Sequence, residues 1–455
     1  RSAAAIRTST RCSSAAASRP ASRRERGGVS PRGAASACAG SLRLLPGEVG
    51  ERLQAFGLPG TKQEEWKYTN LAPVGKEHYR LDSERNFTRD DIKPFLICDV
   101  ASAEIVFVNG RYDGALSNCR SLPPSVVVKP IREAWEDQEL QEALKATGEV
   151  EEERHPFASL NTALLDEGIF LRVPDGVVID KPISLLFVSS GSGEEERVIA
   201  SPRIVIVAGE SSQVRVVETF INVGPSRVLS NPYTQIIARS NSNIDHYRVQ
   251  QEGSEAFHFG LIRARQERDS HVRSHVITTG AAVSRTDLSV VLDGEGADCV
   301  ANGLYLLNGD QHADHQTLID HAKPHCTSSE LYKGILDDRS RGVFEGKVIV
   351  RPDAQKTNAS QKNNNLILSR QAVANTTPQL EIYADDVKCA HGSTIGRLDE
   401  ESVFYMRSRG ISEEDAIEIL TWGFASEVVS GIRVGPVLKR LEASILSRLA
   451  KEHRV

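Results

Sequence analysis

No Cys-x-x-Cys pair occurs in this 455-residue chain; its seven cysteines are scattered at 12, 38, 98, 119, 299, 326 and 389. That scatter excludes a disulfide framework and a self-contained four-cysteine cluster site of ferredoxin type, and it suits a reducing compartment. Long apolar runs are missing as well: none approaches the ~20 residues that span a bilayer. Positive charge is not in excess, the formal net charge being −6, which argues against a general nucleic-acid binder. Three Asn-x-Ser/Thr sites (Asn86, Asn358, Asn375) carry no weight without a secretory signal.

The usual marks of catalysis and nucleotide binding are also absent. There is no G-x-G-x-x-G fingerprint, no G-x-S-x-G elbow, no Ser-His-Asp signal and no convincing pair of carboxylates. The run Gly342-Val343-Phe344-Glu345-Gly346-Lys347 comes near a phosphate loop and fails. Its glycine spacing is one short, and no Ser or Thr follows the lysine.

Acidic residues are nearly missing from the first forty positions, where Glu25 stands alone among Ala, Ser and Arg. That composition is expected of an organellar transit peptide, placed at residues 1–41. From 42 to 155 the pattern predicts a mainly helical region. Glu48–Phe56 reads as a short amphipathic piece stopped at Gly57-Leu58-Pro59-Gly60, and Leu140 and Leu144 mark the inner face of an acidic helix.

The texture changes at Pro156. Short β-branched segments, among them Ile183–Val188, Arg203–Val207, Ile244–Val249 and Asp287–Leu292, alternate with Gly, Ser, Asn and Asp clusters for over two hundred residues. Small polar turns at Gly209–Ser212, Ser240–Asn243, Arg268–Ser270 and Gly294–Gly296 recur at a little under thirty residues. Such a period predicts a solenoid whose coils bury their faces on one another, with a β-sandwich as the rival. Arg215, Arg248, Arg263 and Arg265 are assigned to a wet exterior. The core is placed at 156–400 and a helical region at 401–455. There Ser412 and Asp415 form a capping box, and Leu438, Leu441, Ile445 and Leu449 keep helical spacing. These two helices either cap the solenoid or dock a partner.

Three groups of residues are candidates for chemistry. Cys389 and His391 lie two apart, so on a strand they share a face, and thiolate with imidazole is half of a soft-metal site. Two such ligands cannot hold a cluster alone; the rest would come from a second subunit. His312, Asp314, His315, His321, His325 and Cys326 form a dense histidine run. Parity puts His315 on the face opposite His312 and Asp314, so this is the weaker metal candidate. Gln361-Lys362-Asn363-Asn364-Asn365 suggests an asparagine ladder serving turn backbone groups.

The run Asp385-Asp386-Val387-Lys388-Cys389-x-His391-Gly392, with Ser408-Arg409-Gly410-Ile411 and Glu64-x-Trp66-x-Tyr68-Thr69-x-Leu71, closely resembles the SufB/SufD family of the SUF iron–sulfur cluster assembly system, on its SufD side. The resemblance implies a right-handed parallel β-helix core flanked by α-helical regions. It implies a non-catalytic scaffold that pairs with SufB and the ATPase SufC, with a nascent Fe–S cluster shared transiently with SufB and ATP used only through SufC. Flavin binding stays open, as does a homodimer when the chain is alone. His391 is then a cluster residue, Cys389 a companion of less defined role, and Ser412, Trp422, Gly423 and Phe424 candidate SufC contacts. The location implied is the chloroplast stroma, with no membrane and no nucleic acid as partner. The rival readings are a carbohydrate-active β-helix enzyme with carboxylates in an external groove, and a purely structural SufB partner.

Overall fold

The computed structural model describes residues 58–81, 87–97, 100–119, 121–146, 155–190, 197–224 and 227–452. The transit-peptide expectation and the amphipathic piece Glu48–Phe56 lie outside these residues.

Two facing sheets, one of twelve strands and one of ten, make a parallel β-solenoid of about seven turns. From Tyr233 onward each coil gives one strand to each sheet, so neighbours in a sheet are every second strand in the chain. The polar turns supply the corner that makes this possible. Ser211, Asn241, Asp269, Gly296, His325 and Lys356 each adopt a positive φ. The amide of each of these bonds the turn of the next coil, as in Asn241 N to Arg268 O at 2.8 Å and Asp269 N to Glu295 O at 2.9 Å. Asn, Asp and Gly take the left-handed conformation at least cost. The recurring small polar cluster in the sequence is therefore the recurring corner of the coil.

Strand register stacks like positions into columns along the interior. One column runs Phe107, Phe187, Phe220, Gln250, Thr278, Tyr305, Gly334 and Asn365. Its three phenylalanines stack at 4.8 and 4.4 Å between ring centroids. Another runs Ile183, Val216, His246, Ser274, Ala301, Glu330, Gln361 and His391. The interior thus changes from apolar to polar toward the C-terminal coil.

Arg248 belongs to this interior and corrects the exterior assignment. It is fully buried, and its Nε donates to Glu218 Oε2 at 2.7 Å, Glu218 being its register partner one coil away. Burial alone would raise the Glu218 carboxyl, but Arg248 and His246 outweigh it and hold it at about 2. A buried charge is tolerated when paired and hydrogen-bonded, and period-2 reasoning does not show that such a partner is stacked below.

The N-terminal region is mixed rather than mainly helical. Ala103–Val108 pairs in parallel with Ile183–Ser189, so the solenoid reaches into it. Arg111–Asn118 and Val127–Pro130 pair antiparallel at that end of the two sheets. The expected helix is present as Gln138–Ala146, with Leu140 buried and Leu144 packed beside it. The C-terminal helices Glu413–Val429 and Gly435–Glu452 do not cap the solenoid. Val428, Leu441 and Ile445 pack on the outer face of the ten-stranded sheet, against Tyr247, Leu304 and Ile335.

Candidate functional site at the open coil

The last coil is unpaired on its outer side. Val373–Ile382 ends the twelve-stranded sheet and Lys388–Gly396 ends the ten-stranded sheet. Among the described residues nothing covers either edge. Val373, Ile382, Tyr383 and Ile395 are exposed there. Soluble proteins usually blunt such edges, because free N–H and C=O groups are a template for another strand.

Cys389 and His391 sit on this terminal strand. Their register partners Ala359 and Gln361 are buried in the interior, so both face the solenoid axis. The shared face expected from spacing is the inner one. Cys389 is half-buried, and burial pushes its thiol up. A metal bound to it would have to displace the thiol proton. His391 is exposed at the mouth. Among the described residues no three His, Cys, Asp or Glu side chains converge to hold a metal. Two soft donors therefore lie together at an open edge.

A polar bed lies directly beneath. Gln361 Nε2 donates to Glu330 Oε2 at 2.6 Å, and both residues are buried. Burial pushes the Glu330 carboxyl up to about 7. Asn363 and Asn365 are in the strand interior, not at turns. Asn365 Nδ2 donates to Asn363 Oδ1 at 2.7 Å, and Tyr305 Oη donates to Asn365 Oδ1 at 2.5 Å. The asparagine run is a packed interior network, and only Asn364 faces outward, accepting from Thr394 Oγ1 at 3.0 Å. Gly303 and Gly334 are required here, since a Cβ would lie 2.1 and 2.2 Å from the rings of Tyr332 and Tyr305.

The histidine run does not assemble into one ligand set. His312 Nε2 and Asp314 Oδ2 both meet Thr69 Oγ1, at 2.8 and 2.5 Å. Asp314 also pairs with Arg285 at 3.1 Å, and Arg285 lies 3.8 Å over the Trp66 ring. His315 points the other way, stacked 5.1 Å from Tyr305. The Cys326 thiol donates to Gly294 O at a corner. His312 and Asp314 therefore clamp the N-terminal segment, and the Trp66–Thr69 signature is their counterpart. Sequence reading assigned the two halves of this clamp to different purposes because they lie far apart in the chain.

An outer cleft of about 450 Å³ runs beside the clamp, lined by Glu65, His155, Asp287, Gln316 and Glu345. It bears on the carbohydrate-enzyme reading. Asp287 is held by Arg285 at 2.8 Å and by His155 at 3.3 Å. Burial alone would raise its carboxyl, but those two groups hold it well below the usual range. A carboxylate committed in this way is a structural anchor.

Ser412 caps its helix, its Oγ accepting from Asp415 N at 3.0 Å. Phe424 lies under Lys333, whose Nζ sits 4.3 Å from the ring and also donates to Phe424 O. Trp422 packs beside it against the sheet, and Gly423 is exposed. The uncovered apolar side chains nearby are Phe404, Tyr405 and Ile419. Helical spacing picked out the apolar residues of this region, but tertiary contact decides which of them is spent on the core.

Residues 38–185 match the family model described as the SufBD protein N-terminal region, and 188–424 match that of the SUF system FeS cluster assembly, SufBD core domain. The iron–sulfur cluster assembly protein SufD of Escherichia coli is 32% identical over 401 residues, covering 88% of this chain and 91% of that protein. A SufBD family iron–sulfur cluster assembly protein of Synechocystis is 30% identical over 87% of this chain and 88% of its own length. The chloroplastic protein ABCI7 of Arabidopsis thaliana is 30% identical over 60% of this chain and 58% of that protein.

Proposed function

This chain belongs to the SufBD family of iron–sulfur cluster assembly proteins, and from that premise we propose that it is a non-catalytic, SufD-type scaffold subunit whose open coil docks a SufB-type partner. The observation that carries this reading is the uncovered terminal strand Lys388–Gly396, with Cys389 and His391 facing the axis at its mouth. A partner strand would satisfy the free backbone groups by β-augmentation. It would also bring the remaining soft donors to iron and sulfide, the substrates of assembly. His391 contributes an imidazole and Cys389 a thiol that loses its proton on ligation.

ATP is used through a SufC-type ATPase docked on the C-terminal helices. Exposed Phe404, Tyr405 and Ile419 suit that contact better than Trp422 and Phe424, which face the core. The likeness to a chloroplastic relative and the Ala-, Ser- and Arg-rich first forty residues support a plastid stromal location.

The test is co-expression of residues 42–455 with SufB and SufC of the same organism, followed by size-exclusion chromatography with mass determination. A complex of all three chains is expected, and His391→Ala is expected to leave it assembled while cluster yield on reconstitution falls. A chain that elutes without either partner would overturn the scaffold reading. Wild-type cluster yield from the variant would make His391 a structural residue and leave this chain a purely structural SufB partner.

A further inference from the structure

One buried oxygen beneath the open coil has no hydrogen-bond partner: Oε1 of Gln361. Buried polar atoms are nearly always satisfied, so an orphan inside an otherwise bonded network calls for a cause. The place of Gln361 in the column supplies one. It sits one coil below His391 and one coil above Glu330, and all three face the axis. Adjacent coils are about 4.8 Å apart, so side chains in neighbouring coils of a column are within reach of each other. The Gln361 amide nitrogen is committed downward to Glu330 at 2.6 Å. Its oxygen is the group left to offer to the coil above. Gly346 keeps the space clear, since a Cβ there would lie 2.4 Å from Gln361 Nε2.

We propose that Gln361 and Glu330 are positioning residues for His391: Glu330 fixes the Gln361 amide, and Gln361 Oε1 receives one imidazole N–H of His391. That bond selects a single tautomer and leaves the other ring nitrogen, with its lone pair, turned to the mouth. Metal-binding imidazoles are commonly oriented in this way by an acceptor on the far nitrogen. The proposal rests on the reading of His391 as a cluster residue, but its test does not.

The test is ¹⁵N-histidine NMR of the full chain at a pH where the rings are neutral, with His391 assigned by its loss in His391→Ala. Wild type is expected to show the paired shifts of one tautomer. Gln361→Met, close in shape but without donor or acceptor, is expected to move both ring shifts toward their common mean, as two tautomers mix. Glu330→Leu should do the same by freeing the amide to turn over. Glu330→Gln retains an oxygen that accepts from Gln361 Nε2 and should restore the wild-type signature. Circular dichroism and melting curves identify any variant that fails to fold, and the Glu330→Gln and Glu330→Leu pair then decides. His391 shifts unchanged by Gln361→Met, or equally changed by both Glu330 substitutions, would overturn the relay. Loss of cluster yield in His391→Ala with no tautomer change in these variants would sink this inference and leave the proposed function standing.

Discussion

At the scale of single residues, burial sets what each polar group can do. Glu330 shows the cost most clearly. Its ordinary value lies near 4.5 and its folded value near 7, raised by burial. The native state therefore keeps a proton that the unfolded chain releases across that window. The stability linked to Glu330 is complete below about pH 4.5 and is lost as pH rises through 7, by roughly 3 kcal/mol. Glu330→Gln is expected to raise the urea midpoint at pH 8 and to leave it unchanged at pH 4.5; an equal effect at both values would show that the carboxyl ionises freely in the fold. Trp66 is the second case. It is buried between Arg285, at 3.8 Å, and Phe157, at 5.9 Å. Trp66→Ala is expected to cost about 3–5 kcal/mol in urea unfolding, the range for large aromatic truncations. A loss below 1 kcal/mol would mean the N-terminal segment is not clamped by this contact.

At the scale of elements, the terminal strand is stable on one side and open on the other. Lys388 N donates to Thr357 O at 2.8 Å, so this parity of the strand bonds inward to its neighbour. By alternation the N–H of Ser393 faces the open edge. A proline is tolerated on an edge strand where the N–H faces solvent. Ser393→Pro should therefore leave the melting temperature of the isolated chain nearly unchanged and reduce capture of the SufB-type partner at least tenfold in a pull-down titration. Undiminished capture would show that the partner does not extend this sheet. The helix Glu400–Ser408 is the other exposed element, and Phe404→Glu is expected to weaken ATPase binding without loss of helicity. Retained binding would move the docking surface off that helix.

At the scale of the whole molecule, stability should fall on mild acidification. His275, His315 and His321 are each held at about 4, chiefly by burial. They are neutral in the fold and take up protons on unfolding below their ordinary value of 6.5. Their contribution is present above pH 6.5 and is lost as pH falls toward 4. Glu330 acts in the opposite direction over much of the same window. Burial lowers His312 in the same sense, and with four histidines taking up protons on unfolding, stability should drop as pH falls from 6.5 toward 4.5. Urea titrations at pH 5, 6 and 7 read this slope directly, and a flat profile would mean these rings are protonated in the native state.

The features legible in the linear pattern are local and periodic. Strand positions such as Ile183–Val188 and Ile244–Val249, the turn clusters, the Ser412 cap, the inner face of Gln138–Ala146 and the common face of Cys389 and His391 all follow from two rules. Side chains alternate along a strand, and small polar residues fit a tight corner. The SufBD motifs added family membership. What lies one coil away emerges from the folded chain alone. Folding paired Arg248 with Glu218, turned His312 and Asp314 from metal candidates into a clamp for Thr69, sent Phe424 to Lys333, and put Gln361 between His391 and Glu330. Each of these contacts joins residues distant in the chain through the stacking of coils. A period of two records which face a residue takes, but not what is stacked above or below it.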